Sequence, residues 1–184
     1  PARISKPRAS DVNAVTTDLL PTLCSLVGQP VPDRPLDGVD LSPLIDGTMT
    51  ERPAPIFFWC FNTRRFAGLD LGPWIEPELQ KGTTPLVKLS GGIATRNFRN
   101  VRHPAITEAD FLGPRTLVEN RFKLVLHDKK DGTAKAELFD LRNDPGETRD
   151  LSAEYPDRVR DMQNRIRDWQ ESVLHSVAGG DYGK

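Results

Sequence analysis

Chemistry in this sequence could rest on two cysteines, three histidines and a stretch rich in arginine. Cys24 is followed by Ser25-Leu26-Val27 and Cys60 by Phe61-Asn62-Thr63. Neither forms a Cys-x-x-Cys pair, so no zinc site is expected. Cys24 falls on an apolar helical face and Cys60 in an apolar run, which predicts two buried free thiols. A disulfide between them stays open, because it depends on geometry. Residues 62–114 hold Asn62, Arg64, Arg65, Trp74, Arg96, Arg99, Arg102 and His103. A guanidinium offers a fork of donors that suits anionic oxygens, and a Trp offers a flat face. Each also has a plainer role. Arg64-Arg65 suits a solvated loop, and Trp74, between Pro73 and Ile75, could anchor that loop on the core. His103 precedes Pro104 and could serve a rim or a local hydrogen bond. His127 and His175 sit at the ends of predicted elements and are expected to be structural.

These residues need elements to position them. Val12, Val15, Leu19, Leu23 and Leu26 recur at spacings of three and four, predicting a helix over 12–27. Thr17 or Asp18 would cap its first full turn, Pro21 is tolerated there, and Gly28 stops it. Residues 29–55 are rich in proline and turn-forming, with one short helical turn expected near Leu44. Ile56-Phe57-Phe58-Trp59-Cys60-Phe61 reads as a buried strand. No period runs through 62–92, a long loop of the kind that is often functional. Runs 115–119, 121–127 and 136–141 read as strands. Asn120 suits a tight hairpin and Asp131-Gly132 a second turn. In the middle run Phe122, Leu124 and Leu126 alternate with Arg121, Lys123 and Val125, so one face should be buried. A turn follows at 143–147. Pro156 opens a helix to about 176, with Val159, Met162, Ile166, Trp169 and Val173 as its apolar stripe. The tail 179–184 is expected to fray. The predicted class is α+β: about four antiparallel strands packed by a C-terminal helix, with one further helix ahead of them.

Composition narrows the function classes. Of 184 residues, 37% are hydrophobic and 28% charged, which fits one globular unit. The net charge of −1 comes from interleaved signs, as in Asp157-Arg158-Val159-Arg160-Asp161, and no basic stripe points to nucleic acid. No apolar run approaches the roughly 18–20 residues that span a bilayer. Pro1 is no native start, so the chain is expected to be a processed product or a piece of something longer.

Ordered phrases add a resemblance. Asp18-Leu19-Leu20-Pro21-Thr22-Leu23 leads to Gly28, and Leu36-Asp37-Gly38-Val39-Asp40-Leu41-Ser42-Pro43-Leu44 follows a proline-rich stretch. Arg52-Pro53 precedes the aromatic strand. Arg121-Phe122-Lys123-Leu124-Val125 comes next, and last Glu137-Leu138-Phe139-Asp140-Leu141-Arg142-Asn143-Asp144-Pro145-Gly146-Glu147, ending at Asp150-Leu151. In this order the phrases resemble the carboxy-terminal part of sulfatases, within the broad alkaline-phosphatase-like group. Residues 62–114 lie outside the resemblance. The phrases themselves read as fold determinants.

The resemblance implies a division into the last helix and connector of a larger α/β catalytic domain (1–50) and a C-terminal subdomain (51–184). It implies a parent that hydrolyses sulfuric esters, here of a sulfated carbohydrate. The parent would use a formylglycine nucleophile from a Cys/Ser-x-Pro-x-Arg sequence and a calcium ion held by Asp and Asn oxygens. Neither Cys24 nor Cys60 has that context, so no catalytic or metal-binding residue is expected in this chain, and alone it should not hydrolyse sulfate esters. The implied partners are the N-terminal catalytic domain of the same protein and a sulfated small molecule or glycan. Asn62, Arg64, Arg65, Trp74, Arg102 and His103 become candidates for the substrate rim. Many relatives are exported, but the compartment stays open. A phosphatase or phosphodiesterase of the same broad fold is a further possibility, against which the Asp144-Pro145-Gly146-Glu147 phrase weighs. Two other classes also remain: a free-standing carbohydrate-binding module using Trp59, Trp74 and the arginines, and a structural or oligomerising domain.

Overall fold

Alternation along residues 115–140 builds the centre of the molecule. The computed structural model describes residues 4, 6–60, 107–128 and 134–181. Within them β1 (Ile56–Trp59), β2 (Arg115–Glu119), β3 (Phe122–Asp128) and β4 (Ala134–Asp140) form one antiparallel sheet in that order. Asn120 turns β2 into β3 with φ +46°, a conformation that Asn tolerates better than most residues. The register places Leu117 opposite Leu124, and Leu124 opposite Leu138. All three are fully buried, so the inward face is the predicted one.

A single helix covers that face. α3 (Pro156–Val177) starts on a proline, whose missing N–H would have had no helical partner. Its stripe buries Met162 and Ile166 against the three leucines and Leu151. Trp169 stacks on Phe57 of β1 with centroids 5.0 Å apart, so the same helix reaches the sheet edge. The result is α+β, with a four-stranded antiparallel sheet packed by a C-terminal helix.

Two further helices precede the sheet: α1 (Leu19–Val27) and the short α2 (Ser42–Asp46). Gly28 closes α1 at φ +69°, and the N–H groups of Gly28 and Gln29 donate to the carbonyls of Ser25 and Cys24.

Local structure departs from expectation in three places. The first helix does not begin at residue 12. Val15 is extended (φ −142°, ψ 162°), a 3-10 turn spans Thr16–Asp18, and only then does α1 start. Val12 and Val15 share helical spacing with Leu19, but β-branched residues accept extended backbone readily. The aromatic strand ends at Trp59 and lies at the edge of the sheet, with Phe58 51% exposed, rather than buried throughout. The thiols are free, as expected, but Cys24 is half-buried and Cys60 exposed. Cys60 lies beyond the last paired residue of its strand.

Candidate functional site

The rim candidates Asn62, Arg64, Arg65, Trp74, Arg102 and His103 lie outside the described residues, as do Arg96 and Arg99. The chain on either side of them is well anchored. Trp59 pairs with Arg115 at one end of the sheet, and the Cys60 N–H donates to the Pro114 carbonyl at 2.9 Å. The Trp59 indole donates to the Leu112 carbonyl at 3.1 Å. Gln170 of α3 donates to the Phe111 carbonyl at 3.2 Å, and the Arg115 guanidinium donates to the same oxygen. Trp59–Cys60 and Phe111–Arg115 are therefore held together at one end of the sheet. Trp59 meets Phe111 edge-on at 5.7 Å and Trp169 at 6.3 Å. It is engaged in packing, which weakens its case as a sugar platform.

The most deeply buried charged group among the described residues is Asp18, and a polar network centres on it. One carboxylate oxygen accepts Arg52 Nη1 at 2.6 Å and the Val15 N–H at 2.8 Å. The other accepts Arg52 Nη2 at 2.7 Å and the Val39 N–H at 2.9 Å. Asp18 is 1% exposed and Arg52 4%. This is a fork-to-fork pair with both carboxylate oxygens doubly used. Asn120 extends it: its side chain accepts the Arg52 N–H at 2.7 Å and donates to the Arg52 carbonyl. Asn13 in turn donates to the Asn120 carbonyl at 2.8 Å. The sequence offers Thr17 or Asp18 as the cap of α1; Asp18 takes the capping position, but its carboxylate makes no cap hydrogen bond there. Arg52 lies 34 residues away, and no local spacing rule could have joined the two.

Three further acids, Asp140, Asp144 and Asp150, also hold the fold. Asp140 takes hydrogen bonds from Arg121 and from Asn143. Asp144, in the turn expected at 143–147, takes the N–H groups of Thr148 and Arg149. Asp150 takes those of Leu138 and Ser152. Among the described residues no three His, Cys, Asp or Glu side chains gather to hold a metal ion. Calcium needs several oxygen ligands together, and these carboxylates are dispersed and engaged, so the described donors do not fit one. His127 and His175 lie at the surface near Glu137 and Asp181, respectively. No helix among the described residues is long and apolar enough to cross a membrane.

These arrangements set an acid response. Burial raises the Asp18 pKa, but the bonds from Arg52, Val39 and Val15 outweigh it, and the net shift is down from 3.8. Arg121 lowers Asp140, the Arg149 N–H lowers Asp144, and the Ser152 and Leu138 N–H groups lower Asp150 despite its burial. A depressed carboxyl contributes stability above its unfolded pKa and loses it as pH falls through the folded value. Urea unfolding should therefore give a midpoint that holds from pH 7 to about 5 and falls steadily below about 4. A midpoint unchanged down to pH 2 would contradict these assignments.

An open cavity of about 620 Å³ lies beside this network, lined by Ser10, Asp11, Asn13, Glu51, Arg121 and Arg142 among others. Its lining mixes both charge signs and selects no ligand class.

Comparison with known proteins gives the following. No family model matches the chain. A stretch of 46 residues is 50% identical to arylsulfatase A of Homo sapiens, covering 25% of this chain and 9% of that protein. Arylsulfatase A of Bos taurus matches to the same extent. The matched stretch thus spans less than a tenth of these relatives. Among solved structures, a protein in complex with its substrate D-glucosamine-2-N,6-O-disulfate superposes over 84% of this chain and 23% of its own, at 16% identity and a TM-score of 0.44. The candidate sulfatase yidJ from Bacteroides fragilis superposes over 90% of this chain and 26% of its own, at 18% identity and a TM-score of 0.46. At such scores the superpositions carry no argument about function. The likeness to sulfatases that the ordered phrases express is borne out by the sequence matches.

Proposed function

We propose that this chain is the carboxy-terminal part of a sulfatase, a sulfuric ester hydrolase, and that it completes the fold of that enzyme without supplying its catalytic groups. The observation that carries this reading is the half-identical 46-residue match to arylsulfatase A. The ordered phrases of the sequence add to it. A second feature supports it. α1 leaves Leu19, Leu23, Leu26 and Val27 exposed at 60, 57, 42 and 66%. An apolar helix face of this kind needs a covering surface, and the catalytic domain of the same protein would provide one. In this reading residues 1–50 close that domain and residues 51–184 form the appended subdomain.

The calcium and the formylglycine belong to the catalytic domain, not to this chain. There the calcium would polarise the sulfate and the formylglycine hydrate would supply the nucleophile. This chain's part is positional. The anchoring of Trp59–Cys60 and Phe111–Arg115 would bring Asn62, Arg64, Arg65, Trp74, Arg102 and His103 to the substrate rim. Their arginines suit a sulfated carbohydrate by the geometry of their donors.

The test joins the upstream coding sequence to this chain and assays hydrolysis of an aryl sulfate and of a sulfated glucosamine. Activity is expected for the joined protein and none for the 184-residue chain alone. An upstream region without a Cys/Ser-x-Pro-x-Arg sequence would overturn the sulfatase reading. It would leave a separate module, to be tested against sulfated glycans.

A further inference from the structure

We infer that residues 12–50 are held to the sheet by a polar latch, the Asp18–Arg52 pair, and can open as a unit while the sheet and α3 stay folded. The division of apolar and polar contacts leads there. The buried core cluster is drawn from Leu117, Leu124, Leu126, Leu138, Leu151, Met162 and Ile166. Among the described residues, no buried Val, Leu, Ile, Met or Phe comes from 12–50. That segment is stitched to itself instead. Thr22 Oγ1 accepts the Leu41 N–H at 2.9 Å, and Ser25 shares a hydrogen bond with Ser42. Asp18 also holds the Val15 and Val39 N–H groups of the same segment.

The seam to the rest of the molecule is polar and runs through groups already described. Arg52 reaches Asp18, Asn120 receives Asn13, and the Trp169 indole donates to Asp37 at 2.9 Å. The last of these is exposed, and water can replace it at small loss. The Asp18–Arg52 pair is buried, so losing one partner strands a charge with no substitute. Attachment of a 39-residue segment thus concentrates on one carboxylate. Local opening of a region that contributes little to the core is an ordinary property of proteins. Here the latch also sets how α1 presents its apolar face.

Hydrogen exchange on the full 184-residue chain, followed peptide by peptide, tests this. In the unaltered chain the amides of α1 should exchange through an opening that leaves β2 and β3 protected. Asp18→Asn puts an amide N–H₂ where a carboxylate oxygen accepts two donors. It should speed exchange in α1 by on the order of 100-fold or more, the tenfold-per-1.4-kcal/mol scale applied to a stranded buried donor, with little change in β2 and β3. Arg52→Met should do the same from the other side. Exchange of α1 and β2–β3 at one common rate in the unaltered chain would overturn the latch. So would an unchanged α1 rate in both variants, or equal acceleration of the whole chain.

Discussion

Replacing Leu124 by Ala is expected to cost the fold about 2–5 kcal/mol, the range for deleting a large aliphatic side chain from a close-packed core. Leu124 lies on an inner strand and is fully buried. Its cross-strand neighbours, Leu117 and Leu138, are equally buried, and α3 lays Met162 and Ile166 over the row. Relaxation cannot fill the hole easily, because its walls sit on a hydrogen-bonded ladder and a long helix. The upper half of the range is therefore the better expectation. Urea unfolding followed by far-ultraviolet circular dichroism should show a lower midpoint at unchanged slope. A loss below about 1 kcal/mol would mean that this face is not the principal core.

Gly38→Ala should cost the 12–50 segment nearly as much, for a different reason. An added Cβ would lie 2.0 Å from the Thr17 carbonyl oxygen and 2.5 Å from its carbon. Both are backbone atoms, so no rotamer change relieves the overlap. Residues 37–39 would have to move away from 16–18, and the Val39 N–H would lose Asp18. Overpacking of this kind costs typically about 1–3 kcal/mol, and the abandoned buried donor adds about 1–3 kcal/mol more. Near-ultraviolet circular dichroism and exchange at α1 should both report the change. An opening free energy of α1, read from its amide exchange, within about 0.5 kcal/mol of the unaltered chain, the usual range for neutral surface changes, would show that the close approach is not maintained in solution.

The sheet was legible because its signals are local. Phe122, Leu124 and Leu126 alternate with Arg121, Lys123 and Val125, Asn120 marks the hairpin, and Pro156 opens a helix whose stripe keeps its period for five positions. α1 was legible in its body but not in its start, since Val12 and Val15 satisfy a helical spacing while adopting extended backbone. The outward position of Phe58 was not legible: a run of apolar residues does not say whether its strand lies inside or at the edge of a sheet. The Asp18–Arg52 pair was invisible for a stricter reason. It joins residues far apart in sequence, and neither of them sits in a pattern that requires the other. The rim candidates rest on residue type and on the resemblance, and their placement lies outside the described residues.

The anchoring of Cys60 to Pro114 bears on how the 60–114 region can vary. In the chain-entropy picture, bringing together two points about 54 residues apart costs about 3 kcal/mol more than closing a two-residue hairpin. Further growth is cheap, because each doubling adds only about 0.6 kcal/mol. The strand pairing of Trp59 with Arg115 must meet the first cost and is nearly indifferent to the second. By this arithmetic the pairing of β1 with β2 tolerates insertions and deletions between Cys60 and Pro114 at little cost to the sheet.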